Sequence, residues 1–204
     1  MLCTSPCDLT ANLNTLESCL TSLHTWFCHN RLGLNSSKSE SILFGTSTRL
    51  RNFPPLTGVN IAGTVVPLSD KIVTLRVTLD SNLTLFNHIS NTCRSAYYHI
   101  RALRHIRRSL TDDMARTVVA SLVHSRIDYT NSLVHGSTNI KKLQQLQNTA
   151  ARIVLPHLSK RPSTSLLHEL HWLPVHSKII YKLACLTYNS LSTCLLYTSP
   201  SPRD

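Results

Sequence analysis

The sequence predicts an α+β chain: one helix and a small antiparallel sheet, followed by an all-helical half, with the border near Asn82. Three observations predict it. Apolar residues between Leu9 and Phe27 recur at alternating spacings of three and four, which puts them on one side of a helix. Between Val59 and Asp80 the apolar residues fall in short β-type runs broken by Gly and Asp. From Thr84 the helical period returns and holds to Tyr188. A chain of 204 residues can bury a core as one domain or as two small ones.

Asp8 is a suitable N-cap for the first helix, whose inner face is Leu9, Leu13, Leu16, Leu20, Leu23 and Phe27, widened by Trp26. Asn30-Arg31-Leu32-Gly33 closes it, with Gly33 suited to the left-handed C′ position. A tight turn carrying Lys38 leads to a short apolar strand, Ser41–Gly45, and a polar loop with Pro54-Pro55. Val59–Val66 reads as two strands about a Gly turn. Lys71–Asp80 reads as a third strand, with Val73, Leu75, Val77 and Leu79 on one face and Asp80-Ser81-Asn82 ending it.

In the helical half, Phe86, Ile89, Cys93, Ala96, Ile100, Leu103 and Arg107 step by three and four, while Arg94, Arg101, Arg104 and Arg108 form a separate basic face. Thr111-Asp112-Asp113 caps a second helix with Ala115, Val118, Val119, Leu122 and Val123 inward, and Gly136 ends that unit. Leu143, Leu146, Gln147, Ala150, Ile153 and Val154 make a third helix stopped by Pro156. After the connector Ser159–Pro162, a fourth helix holds Ile179, Ile180, Leu183, Leu186 and Tyr188. The domain reading is therefore 1–82, 83–158, 159–193 and a disordered tail over 194–204. The end of that tail, Tyr197–Asp204, resembles translated sequencing-adapter sequence and is set aside from the fold.

Charge is the unusual bulk property. The chain has 21 Lys and Arg against 10 Asp and Glu, a formal +11. Between Arg94 and Arg161 twelve Lys and Arg face only Asp112, Asp113 and Asp128, so that segment holds +9 of the total. Such a balance points to a polyanionic partner, nucleic acid first and an anionic membrane surface second. The seven Cys are scattered without a C-x-x-C pair, so no zinc ribbon or thioredoxin motif is offered, and Cys19, Cys93 and Cys185 fall on apolar helix faces. No signal-peptide pattern and no apolar run near the about 20 residues that span a bilayer is present, so the chain reads as intracellular.

Other chemistries find little support. Asp112-Asp113 is the only adjacent carboxylate pair, and its place after Thr111 suits a helix cap rather than a two-metal centre. His168 and His171 flank Glu169, but the H-E-x-x-H order is missing and no second ligand cluster completes a site. No phosphate loop and no G-x-S-x-G elbow occurs. Arg on successive turns beside an apolar seam can lie along a phosphate backbone, and Tyr97, Tyr98 and Tyr129 have rings that can stack on bases.

Motif order adds a resemblance. Leu16–Phe27 with Asn30–Gly45 comes first, then Leu75-Arg-Val-Thr-Leu-Asp80, Ser125-Arg-Ile-Asp-Tyr-Thr-Asn131 and Leu143-Gln-Gln-Leu-Gln-Asn-Thr-Ala-Ala-Arg152. Leu170-His-Trp-Leu-Pro-Val175 and Lys178-Ile-Ile-Tyr-Lys182 complete the series. In this order they resemble the C-terminal palm and thumb of non-LTR (LINE-type, jockey-like) retrotransposon reverse transcriptases, over roughly residues 9–191. The resemblance implies a partial palm followed by an all-helical thumb and a C-terminal extension. It implies a general-acid role for Lys38 towards the pyrophosphate leaving group, and a primer-grip hairpin at Leu75 and Arg76. That family usually has Leu-Gly there, so Arg76 is expected to alter the grip's geometry. Template–primer duplex contacts would fall to Arg94, Arg101, Arg104, Arg108, Lys141, Lys142 and Arg152. The family's catalytic carboxylates would precede Leu9. The expectation is therefore a polymerase fragment, inactive alone, with no cofactor of its own (Mg²⁺ belongs to the intact polymerase) and located in nucleus or cytoplasm. The residues leave open a basic helical module for nucleic acid or protein, or a decayed element copy.

Overall fold

The computed structural model describes residues 8–54 and 56–192. Cys3, Cys7, Pro55, Cys194 and the adapter-like tail lie outside them. The chain divides into two compact units, the first ending at Thr84 and the second beginning at Leu85. The class is mixed α+β, with two small antiparallel two-stranded sheets in the first unit and helices dominating the second.

In the first unit, α1 spans Leu9–His29 with Asp8 at its N-cap position. Hydroxyls of Thr15, Thr21, Ser22 and Thr25 each donate to the carbonyl four residues back, as on a solvated face. The helix ends in a double bond pattern: Arg31 N–H donates to Cys28 O at 3.0 Å and Leu32 N–H to Phe27 O at 2.8 Å. The residue in the left-handed C′ position is therefore Arg31 (φ 58), not Gly33 as the sequence suggested. A 3₁₀ turn, Ser36–Lys38, follows, and Asn35 caps it by accepting from Ser37 N at 3.1 Å.

Two expectations for the next stretch fail. Ser41–Gly45 is not a strand: Ser41 makes one parallel bridge to Leu68, and Gly45 N–H then donates to Ser81 O at 3.0 Å instead of entering a ladder. The polar loop contains a short helix, α2 (Ser47–Arg51), because Thr46 accepts from Arg49 N and caps it.

β1 (Gly58–Ile61) pairs with β2 (Thr64–Pro67) about Ala62 and Gly63, which both have positive φ as a two-residue hairpin turn requires. Glu17 of α1 accepts from Asn60 N at 2.9 Å and ties the helix to this hairpin. Lys71–Asp80 is not one strand but a second hairpin, β3 (Lys71–Thr74) with β4 (Val77–Asp80). The chain reverses at Leu75 and Arg76, with φ 47 and 63. Period-two alternation continues through a two-residue turn, and this one carries neither Gly nor Asn to signal it. The shared apolar face is split accordingly: Val77 is buried while Val73 and Leu75 are exposed. Asp80 Oδ2 then accepts from Thr84 N (3.0 Å) and Thr84 Oγ1 (2.8 Å), which stops the strand.

The second unit is built on α3 (Phe86–Ile106) and α6 (Ile140–Val154). Ile89, Cys93, Ala96, Ile100 and Leu103 of α3 are buried, as are Leu143, Leu146, Gln147, Ala150, Ile153 and Val154 of α6. Phe86, expected inward, is exposed beneath the Lys142 ammonium, which sits 4.2 Å from its ring centroid. Thr111 caps α4 (Asp112–Val119) by accepting from Met114 N at 3.3 Å. A π turn over Ala120–His124 joins α4 to α5 (Ser125–Asp128). Its wide turn advances the buried set by fours, through Ala115, Val119, Val123 and Ile127. Leu122, expected inward, is turned outward and Val118 is half-buried.

Gly136 (φ +76) precedes α6, which stops at Val154 ahead of Pro156. α7 (Ser163–Glu169) and α8 (Val175–Ser192) complete the unit. Of α8, Val175 and Ile179 are buried, while Ile180, Leu186 and Tyr188 are exposed. Cys93 is buried and Cys185 half-buried, but Cys19 is exposed on α1, contrary to its apolar reading. No helix among the described residues is long and apolar enough to cross a membrane.

Candidate nucleic-acid interface

Opposite the buried stripe of α3 runs an exposed one. Arg94, Tyr98, Arg101, His105 and Arg108 are spaced four, three, four and three, so they stack along one face. All five are exposed, Tyr98 to 71%. From Arg94 on α3 to Arg108 on the turn after it, this face is roughly 20 Å long. The ion pairs among the described residues are Arg107–Asp112, Arg116–Asp113 and Lys178–Asp128. None of the stripe's arginines takes part, so their charge faces solvent uncompensated.

A second basic feature is concave. Arg104 and Arg108, one turn apart on α3 and the 3₁₀ turn after it (Arg107–Ser109), face Arg152 of α6 across a cleft of about 590 Å³. Thr149, Ile153, Pro156 and Ser159 complete its walls, with Arg107 also lining it. Arg152 Nη2 donates to Ser163 Oγ at 2.8 Å, which positions that guanidinium.

Arg107 is built in. Its side chain is only 13% accessible, and it donates to Leu110 O (2.7 Å), Ile153 O (2.8 Å), Val154 O (2.7 Å) and the Asp112 carboxylate. It thereby joins the ends of α3 and α6 to the start of α4. Its position on the apolar stripe, one turn after Leu103, is the sequence signal that sets it apart from the other arginines.

The remaining candidates are distributed. Lys141 and Lys142 sit at the opposite end of α6 from the cleft, where Lys142 covers Phe86 and partly offsets the upward push that burial gives the Cys93 thiol. Leu75 and Arg76 form the exposed tip of the second hairpin in the first unit. Lys38 ends the Asn35-capped turn, exposed and in no ion pair among the described residues. Thus Arg104, Arg108 and Arg152 are brought together, whereas among the described residues no acidic partner pairs with Lys38. Among the described residues no group of three or more His, Cys, Asp or Glu is placed to hold a metal ion. His168 and His171 are both exposed.

Several motif residues hold the second unit together instead. Gln147, fully buried, donates to Leu173 O at 2.9 Å, and Gln144 donates to Gln147 Oε1 (3.0 Å) while accepting from Val175 N (2.9 Å). The glutamine-rich helix therefore grips the Trp172-Leu-Pro-Val175 turn. Lys178 pairs with Asp128 at 2.9 Å, and Lys182 donates to Asp128 O at 2.8 Å, a cation at a helix C-terminus. His124 packs edge-on against Trp172 with centroids 4.2 Å apart. Burial, reinforced by the Lys178 charge and opposed by Asp128, lowers its pKa from 6.5 to about 4. Sequence spacing signalled Gln147 as a polar residue at an inward helical position; nothing local signalled the Asp128–Lys178 pair, which is separated by fifty residues.

No family model, no curated protein and no solved structure matches this chain.

Proposed function

We propose that the chain is the C-terminal palm and thumb portion of a LINE-type reverse transcriptase, and that its own activity is to hold a template–primer duplex. The observation that carries the proposal is the uncompensated stripe Arg94–Tyr98–Arg101–His105–Arg108, an exposed run of spaced guanidiniums along α3 and the turn after it. Such a face contacts successive phosphates and draws its affinity from counterion release. The ordered motifs of the sequence supply the polymerase ancestry. The two motifs that meet at Gln144, Gln147 and Val175 serve as one structural joint, which gives their joint occurrence a physical reason.

In this reading Leu75 and Arg76 present the tip of a hairpin to the primer strand, and Lys38 stands on an exposed turn where a leaving-group acid is reachable. No carboxylate set for two-metal chemistry accompanies them among the described residues. The purified chain is expected to bind a primer–template duplex and to incorporate no deoxynucleotide with Mg²⁺. Incorporation would overturn the inactivity, and absence of duplex binding would overturn the function. A protein-partner reading draws on the exposed Tyr181, Tyr188 and Leu191 of α8. It predicts association that is insensitive to salt.

A further inference from the structure

We infer that the cleft between the C-terminal ends of α3 and α6 is an oligophosphate site, sharing only Arg108 with the stripe that would track a duplex. Its ligand class is a run of consecutive phosphoryl groups, either free in solution or on a strand end. The inference stands without the polymerase ancestry, since it rests on the cleft alone.

Shape comes first. A helix face meets an extended backbone along a line, but this site is a concavity of about 590 Å³, within the range of small-molecule pockets. Arg104, Arg108 and Arg152 converge on it from α3, the 3₁₀ turn after it and α6, and among the described residues none of them is in an ion pair. Three guanidiniums confined without a carboxylate repel one another, and a compact polyanion relieves that repulsion while accepting forked hydrogen bonds. Thr149 and Ser159 add hydroxyls to the same walls.

The end of α6 also lies beneath the cleft. The last carbonyls of a helix carry its negative dipole end, which disfavours anions. At the end of α6 two of those carbonyls, Ile153 O and Val154 O, are occupied by Arg107 Nε and Nη2. Arg107 thus satisfies two helix-end carbonyls beneath the cleft, while its charge is balanced by Asp112. The positive charge that an anion would meet therefore comes from Arg104, Arg108 and Arg152 on the walls.

The experiment uses the full chain and inorganic tripolyphosphate, with affinity read by calorimetry and a rise in Tm as a second readout. Arg104→Gln with Arg152→Gln removes cleft residues that lie off the stripe; Arg94→Gln with Arg101→Gln removes stripe residues that lie off the cleft. The cleft pair is expected to weaken tripolyphosphate at least about tenfold, and the stripe pair to leave it unchanged. Ser159→Glu, an exposed turn substitution that places a carboxylate at the cleft wall, is expected to weaken binding as well, and keeps the test decisive if the double variant folds poorly. Equal loss in both pairs, or no binding by the parent chain, overturns the inference. A 5′-triphosphorylated oligonucleotide that binds tighter than its 5′-hydroxyl counterpart assigns the ligand to strand ends; equal binding assigns it to free oligophosphate. Tripolyphosphate binding without duplex binding would sink the proposed function and leave the cleft standing.

Discussion

The two units reach their order by different means. In the first, Leu9, Val66 and Val77 are the only buried apolar residues among those described, and Trp26 on α1 is 58% exposed. Its hairpins are held by ladders and by single ties such as Glu17 to Asn60. In the second, α3 and α6 each bury an unbroken apolar stripe, and polar joints at Arg107, Gln147 and Asp128 lock the connecting segments. Short two-stranded sheets with little buried area are marginal alone, whereas interlocked helices with full burial are not. The comparison teaches that the basic helical unit is the stable platform, and that Lys38 and the Leu75–Arg76 tip are carried on the weaker one.

Core truncation breaks this contrast most directly. Leu146→Ala is expected to cost the second unit about 4 kcal/mol, because Leu146 is fully buried in α6. Leu16→Ala, at a half-buried position of α1, is expected to cost about 1 kcal/mol. Urea unfolding with probes in each unit checks both, and equal costs would remove the distinction. Arg107→Met comes next, at about 3 kcal/mol, since it strands three carbonyls and Asp112 at once. Its loss should appear only in the transition of the second unit.

The pH dependence of that transition sharpens the comparison further. His124 stays neutral in the fold down to about pH 4, while the unfolded chain takes up its proton below about 6.5. The unfolded state therefore binds more protons in this window. Stability is full above about pH 6.5 and declines as pH falls towards 4, by on the order of 3 kcal/mol. His124→Phe should flatten the profile between those values. A profile unchanged by that substitution would show that other groups set it.

The smallest effect belongs to the first unit. Arg76→Gly relieves a left-handed residue in the hairpin turn and is expected to stabilise by about 1 kcal/mol. Chemical-shift dispersion in the hairpin and a higher urea midpoint would report it. A loss of stability would mean that the Arg76 side chain makes a compensating interaction.

How much was legible in the sequence follows the same division. The helical stripes of α3 and α6 came through because deep burial on one side leaves a strict period, and all six apolar-face positions assigned to α6 are buried. Where burial is shallow the pattern misled. Leu75 sits in phase with Val73 and Val77 yet is 83% exposed at a turn. Ile180, Leu186 and Tyr188 continue the apolar run of α8 yet are exposed. The π turn shifted Leu122 outward without any local sequence signal. Arg31, not Gly33, took the left-handed position because the helix runs only to His29. For the site, spacing separated the basic stripe from the core. Convergence of Arg104, Arg108 and Arg152 required the parallel placement of α3 and α6, a tertiary fact that no single helix encodes.

The central claim is that an uncompensated arginine face on the helical unit holds nucleic-acid duplex. The most direct measurement is the salt dependence of duplex affinity for the parent chain and for Arg94→Gln/Arg101→Gln. Affinity should fall steeply with salt in the parent, and the variant's log–log slope should be shallower by about 2. A salt-independent affinity, or a slope unchanged by removing both arginines, would contradict it.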